Sequence, residues 1–219
     1  AVCHRHDSPL RRIFVDLTDG TLEWEPMDEV YDRIVIGDRQ FDLVAGQGKF
    51  RDQLVEQFPQ EAAAIDRYLE LIDQCAKGSK NCFASKALPG LVSTVAGPFM
   101  RGPFLRLARR TTLDVLSELT SDKMLIGVLT GQWGDYGLPP AQSSFGMHAI
   151  LVRHYLGGGA YPVGGAAEIA ARIAPTIEAT GGTILINAEV EELIVERGTA
   201  VGVRMADGRE TRADSVISG

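Results

Sequence analysis

Gly157-Gly158-Gly159-Ala160-Tyr161-Pro162-Val163-Gly164-Gly165 is the stretch on which the reading of this 219-residue chain turns. Five glycines, one proline and one large aromatic fall in nine positions. Glycine takes positive φ at little cost and lets the backbone lie against a ligand with no Cβ in the way. A helical pattern follows at once, so the run reads as a ligand-facing turn that opens a capped helix. Such an opening presents free N–H groups and the positive end of a helix dipole. A flexible linker is the alternative, but linkers rarely place Tyr-Pro among their glycines.

Downstream, Ile169, Ile173 and Ile177 share one helix face, with alanines at 166, 167, 170, 171 and 174. Small residues suit close packing on a sheet. Pro175 is expected to kink this helix, and Gly181-Gly182 to close it. Strands are predicted at Thr183–Asn187, Val190–Glu196, Val201–Met205 and Asp214–Ser218, with hairpin turns at Arg197-Gly198 and Asp207-Gly208. Upstream, residues 1–50 read as extended and turn-rich. Strands are predicted at 22–27, 33–36 and 40–44, with a hairpin corner at Gly37-Asp38. Phe50, Leu54 and Phe58 then set a helical period that Pro59 interrupts, and Ile65, Leu69 and Ile72 carry it on to about Cys75. Thr111 or Thr112 caps one helix and Ser121-Asp122 the next. Residues 132–140 form a loop, and a helix covers Phe145 to Tyr155.

The net charge of −7 argues against a general nucleic-acid binder, which needs a basic face. Cys3, Cys75 and Cys82 are too few and too scattered for a disulfide framework or a zinc site, and no metal site is expected. That cysteine usage fits a reducing, cytoplasmic setting, and no signal peptide or membrane span is visible. The segment 87–110 stands apart. It has no acidic residue and mixes Leu91, Val95, Phe99 and Leu105 with Arg101, Arg106, Arg109 and Arg110. It reads either as a bilayer-facing surface or as a cap over a cavity, and the two are compatible.

The chain resembles the phytoene desaturase and retinol saturase branch of flavin-dependent oxidoreductases. The likeness rests on Gly158-Gly159-Ala160-Tyr161-Pro162-Val163-Gly164-Gly165, on Glu178-x-x-Gly181-Gly182 and on Asn187-Ala188-Glu189-Val190-x-x-Leu193. It also rests on Gly202-Val203-x-x-x-x-Asp207-Gly208 and Ala213-Asp214-x-Val216-Ile217-Ser218. Upstream it includes Gln132-Trp133-Gly134-Asp135-Tyr136-Gly137-Leu138-Pro139-Pro140, Ser143-Ser144-Phe145, Tyr155 and Phe58-Pro59.

The resemblance implies an α/β (α+β) fold. A substrate domain of mixed sheet with covering helices would occupy residues 1–155, and part of a Rossmann-type FAD domain residues 156–219. It implies FAD as cofactor. Val190, with Glu189, would meet the adenine through its backbone, and Tyr161, Pro162, Gly164 and Gly165 would pass near the flavin ring. Trp133, Tyr136, His148 and Tyr155 are candidates for the wall of the substrate cavity. His148 also reads as an ordinary structural histidine, and no catalytic acid–base pair is named.

The family's G-x-G-x-x-G phosphate loop is not found. Gly46-Gln47-Gly48-Lys49-Phe50-Arg51 lacks the third glycine and stands in the wrong context. The C-terminal flavin segment is not found either, so the chain is expected to be the middle of a longer protein. Three functions are carried forward. The first is desaturation or saturation of a lipophilic isoprenoid by an FAD-dependent oxidoreductase. The second is a non-catalytic lipid-binding or interaction module. The third is an amine oxidase-like enzyme, for which no aromatic cage is identifiable.

Overall fold

A computed structural model describes residues 9–219, with side chains from Arg11 onward. Cys3 and the other residues before Pro9 lie outside the described residues. Eight helices and seven strands are found among the described residues. The fold mixes α and β elements, as expected, but the described strands pair only antiparallel, in two two-stranded sheets and one three-stranded sheet, so the mixed sheet expected in residues 1–155 is not found among them.

The centre is α3 (Ala62–Ala84), longer by about two turns than the periodicity from Ala62 to Cys75 suggested. Its apolar face buries Ile65, Tyr68, Leu69, Leu71, Ile72 and Cys75. Each such aliphatic side chain contributes about 1.5–3 kcal/mol on burial. The helix runs on because Gly78 and Ser79 let α4 (Gly90–Ala108) cross closely. A Cβ on Gly78 would stand 3.2 Å from the Phe104 side chain. On the far side α7 (Phe145–Tyr155) packs on both α3 and α4. Its Gly146 lies against Ala108, where a Cβ would come within 2.6 Å. α2 (Gln47–Gln57) and α5 (Thr112–Leu119) complete the layer around α3. Thr111 caps α5 by accepting from the Asp114 N–H, and Asp122 caps α6 (Lys123–Leu129) by accepting from Met124 and Leu125.

β2 (Val30–Ile36) and β3 (Arg39–Val44) form the expected hairpin around Gly37. Its inner face carries Phe41 and Leu43 into the core, where Phe41 stacks on Phe58 at 5.6 Å. β1 (Trp24–Pro26) leaves this hairpin and pairs antiparallel with β4 (Ala160–Pro162).

The glycine run is therefore a strand before it is a turn. Tyr161 and Pro162 extend because Glu25 and Trp24 pair with them, and the Val163 N–H donates to the Glu23 carbonyl. The helix beyond, α8 (Ala167–Ala179), has no side-chain cap, contrary to expectation. Ala166 has no side-chain oxygen to accept a bond, and Gly164 and Gly165 make the turn with φ of +89° and +106°. α8 continues through Pro175, which was expected to kink it. Ala171, the residue whose carbonyl loses its partner, is exposed and can turn that oxygen to water.

Three further expectations are corrected. Residues 1–50 are not wholly extended, since α1 spans Pro9–Leu17, anchored by Phe14 packed edge-on to Trp24. Thr183–Asn187 and Asp214–Ser218 form no strand. Their apolar residues find no ladder partner among the described residues, and Ile186 and Ile217 stay exposed. The final sheet is β5 (Val190–Glu196), β6 (Thr199–Met205) and β7 (Glu210–Arg212), in that order.

Candidate functional site: an apolar cleft against a buried polar chain

Two corners of the fold are stitched together to make a cleft. The Thr112 N–H donates to the Ser143 carbonyl, Leu113 to Pro140, and Phe145 to Arg110. The Ser144 hydroxyl donates to the Ala108 carbonyl at 2.5 Å while its oxygen caps α7 by accepting from the Gly146 N–H. Between the turn 133–138 and α7 this leaves a cleft of about 550 Å³. Its wall is Leu138, Met147, Ile150 and Leu151, with Asp135, Tyr136, Gln142, Ser143, Ser144 and His154 as the polar members. A mostly apolar cavity with a few convergent polar groups is the usual form of a small-molecule site.

A chain of polar side chains runs inward from the cleft. Tyr136 reaches His148 Nδ1 at 3.3 Å, and His148 Nε2 meets the Tyr68 hydroxyl at 2.9 Å. Ser143, also on the cleft wall, lies 2.8 Å from the Thr112 hydroxyl. His148, Tyr68, Thr112 and Ser143 are all buried. Burial pushes the His148 imidazole down to about 4, so it is neutral at ordinary pH. Burial raises the Tyr136 and Tyr68 hydroxyls above their ordinary values, so both stay protonated.

The four residues proposed from sequence for the cavity wall are thus distributed. Tyr136 lines the cleft. His148 lies behind it, 1% exposed, and supports Tyr136 instead of facing the cavity. Tyr155 sits at the edge, where its hydroxyl donates to Asp135 at 3.0 Å and its ring stacks on Tyr31 at 5.1 Å. Trp133 is half-exposed on the turn and is not part of the cleft lining. Sequence reasoning missed Met147, Ile150 and Leu151. They fall on the outer face of α7, where an apolar helix gives no sign of which side meets a cavity. Tyr68 was also missed, since it sits at an ordinary core position of α3.

Beyond α7, Tyr161 is exposed beside buried Pro162. A Cβ on Gly164 would stand 2.9 Å from Glu168 Cγ, whereas Gly165 has open space. Glu168, in the first turn of α8, already puts a carboxylate at the positive helix end and pairs with Arg172. Val190 is half-exposed at the start of β5, opposite Met205, and the Glu189 carbonyl accepts from the Ala206 N–H. Gly46 lies between β3 and α2, but β3 pairs only antiparallel with β2, so the parallel βαβ context of the phosphate loop is not found there. The Gly46 N–H donates to the Leu156 carbonyl, and Arg51 stands where a third glycine would be.

Residues 16–219 match the flavin containing amine oxidoreductase family. The chain belongs to that family. Within it, the chain is 37% identical over 223 residues to an all-trans-retinol 13,14-reductase of Danio rerio, covering 96% of this chain and 37% of that protein. It is 34% identical over 209 residues to the Homo sapiens all-trans-retinol 13,14-reductase, covering 91% and 34% respectively. A phytoene desaturase of Cereibacter sphaeroides matches a shorter stretch, 52% identical over 58 residues, 26% of this chain and 11% of the relative. The relatives place the chain in the retinol saturase and carotenoid desaturase-like branch. The chain spans about a third of the length of the retinol reductases it matches.

Proposed function

We propose that the protein is an FAD-dependent oxidoreductase that adds hydrogen to, or removes it from, a carbon–carbon bond of a lipophilic isoprenoid held in the cleft between the 133–138 turn and α7. The observation that carries this is the cleft itself. It is apolar along Leu138, Met147, Ile150 and Leu151, with its polar groups gathered at one end around Tyr136 and Ser143. A hydrocarbon chain needs such a wall, and the hard chemistry is the cofactor's.

Bound FAD would supply the hydride transfer. The residues present fit its ring and adenine ends. Gly164 and Gly165 leave backbone without side chains beside exposed Tyr161, and Val190 offers a half-exposed strand end beside Glu189. No G-x-G-x-x-G occurs in the 219 residues, so the pyrophosphate contact is not among them. On this reading 1–155 is mainly substrate domain and 156–219 part of the flavin domain, with the β1–β4 pair joining them.

The test is anaerobic incubation of the complete protein with an all-trans isoprenoid polyene, in one arm with oxidised FAD and in the other with dithionite-reduced FAD, followed by mass analysis. A product two hydrogen atoms lighter in the first arm or two heavier in the second is expected. A polyene unchanged in both arms refutes the reading.

A second role is favoured by α4. At 100° per residue, Leu91, Val95, Phe99, Arg106 and Arg109 fall within an arc of about 80°. The first three are 88%, 72% and 81% exposed, while Gly97 and Phe104 face inward. Arg106 and Arg109 have no acidic partner among the described residues. No helix among the described residues is long and apolar enough to cross a membrane. We infer that α4 rests on an anionic bilayer, apolar end inserted and arginines on the headgroups.

A further inference from the structure

We propose that Tyr136 is a hydroxyl donor to the cleft, oriented through His148 by the buried Tyr68, and that it takes the oxygen-bearing end of a lipophilic ligand. The ligand half of this inference rests on the cleft being the substrate site; the direction of the polar chain does not.

The direction follows from accounting for protons. A neutral imidazole has one N–H and one lone pair. With the proton on Nδ1, the Tyr68 O–H donates to Nε2 and the Nδ1–H donates to the Tyr136 oxygen. The Tyr136 O–H is then left to donate into the cleft that Tyr136 lines. Both buried protons, on Tyr68 and on Nδ1, have an acceptor.

With the proton on Nε2 the order reverses at its buried end. Nε2–H donates to Tyr68, and the Tyr68 proton has no acceptor among the described residues. The buried hydroxyl of Tyr31 makes no hydrogen bond and offers no acceptor to Tyr68. A stranded buried donor costs more than the bond it replaces is worth. The fully buried Tyr68 therefore selects the Nδ1–H form, and the burial that keeps His148 neutral preserves it.

The consequence falls on Tyr136 and Ser143, the two members that line the cleft. The Tyr136 proton points toward the cavity, not back to His148. A ligand oxygen entering beside Ser143 can accept it. The polar end of the cleft thus reads an acceptor oxygen, as of an isoprenoid alcohol or carbonyl, while the rest of the wall takes the hydrocarbon. Tyr136 is the contacting residue; His148 and Tyr68 are positioning residues.

The test has two readouts on the purified protein. Nitrogen NMR of protein labelled at the histidine ring reports the tautomer directly. A proton on Nδ1 of His148 is expected, and one on Nε2 overturns the chain. Quenching of tryptophan fluorescence then compares a C20 isoprenoid alcohol with the hydrocarbon that lacks the hydroxyl. Wild type is expected to bind the alcohol about tenfold tighter, the weight of one hydrogen bond at a partly buried group, and Tyr136→Phe to bind the two equally. A preference that survives in Tyr136→Phe overturns the ligand assignment. Binding of neither molecule overturns the cleft reading and the ligand half with it, while the tautomer result still decides the chain.

Discussion

Acid should unfold this protein partly through one imidazole, and the size of that effect can be worked out. The unfolded His148 titrates near 6.5 and the folded one near 4, because burial between Tyr68 and Tyr136 disfavours the charged ring. Between those values the unfolded chain binds the proton and the folded chain does not. The stabilisation is fully present above the unfolded pKa and is lost as pH falls toward and through the folded one. The gap amounts to about 3 kcal/mol when complete, with about 2 kcal/mol lost by pH 5. His148→Gln keeps a neutral polar group that does not titrate. Urea unfolding at pH 7 and pH 5 should therefore show wild type losing about 2 kcal/mol more than the variant. With a slope of about 2 kcal/mol per molar urea, that is a midpoint shift of about 1 M. Because other groups titrate equally in both proteins, the difference isolates His148. Midpoints that move together in the two proteins would refute the claim that His148 is buried neutral.

Other consequences follow from the same geometry. Gly164→Ala should cost about 1–2 kcal/mol, because φ is +89° and the new methyl meets Glu168, whereas Gly165→Ala pays only for its φ and should cost less; paired thermal melts separate them. Ile72→Ala, at a fully buried position of α3, should lose about 2–5 kcal/mol in denaturant titration; a loss below 1 kcal/mol would contradict the placement of the core. Cys75 is buried with its thiol pushed up to about 11, so in native protein it should stay unlabelled by a thiol reagent at pH 8 until denaturant is added. Arg106→Glu with Arg109→Glu should abolish flotation with anionic liposomes while Leu91→Ser weakens it on neutral ones; equal flotation of all three proteins would remove the bilayer from the account.

Much of the fold is written in local patterns. The 40–44 strand alternates Phe41 and Leu43 inward, and Asp122 and Thr111 mark helix starts by chemistry that needs no tertiary context. What the sequence hides is set by distant partners. The Tyr161-Pro162 pair becomes a strand only because residues 24–26 lie beside it. Ile184–Ile186 has the look of a strand, yet strand formation needs a ladder partner that periodicity does not supply. The site shows the same division. Tyr136 was legible because it sits in a dense run of turn residues that matches the family. His148 was legible as a residue of interest, but its role was not, since burial depends on Tyr68 eighty positions away. The apolar wall of Met147, Ile150 and Leu151 is indistinguishable in sequence from a core-facing helix side.

The most direct test of the central claim is to fill the cleft and leave the rest of the protein alone. Met147 is half-exposed on the cleft wall, so Met147→Trp should fold normally and retain any FAD the wild type binds. Hydrogen transfer to or from an isoprenoid polyene by the complete protein is predicted to fall at least tenfold in this variant with flavin content unchanged. Undiminished turnover with the cleft filled would mean that the substrate lies elsewhere, and the account would fail at its centre.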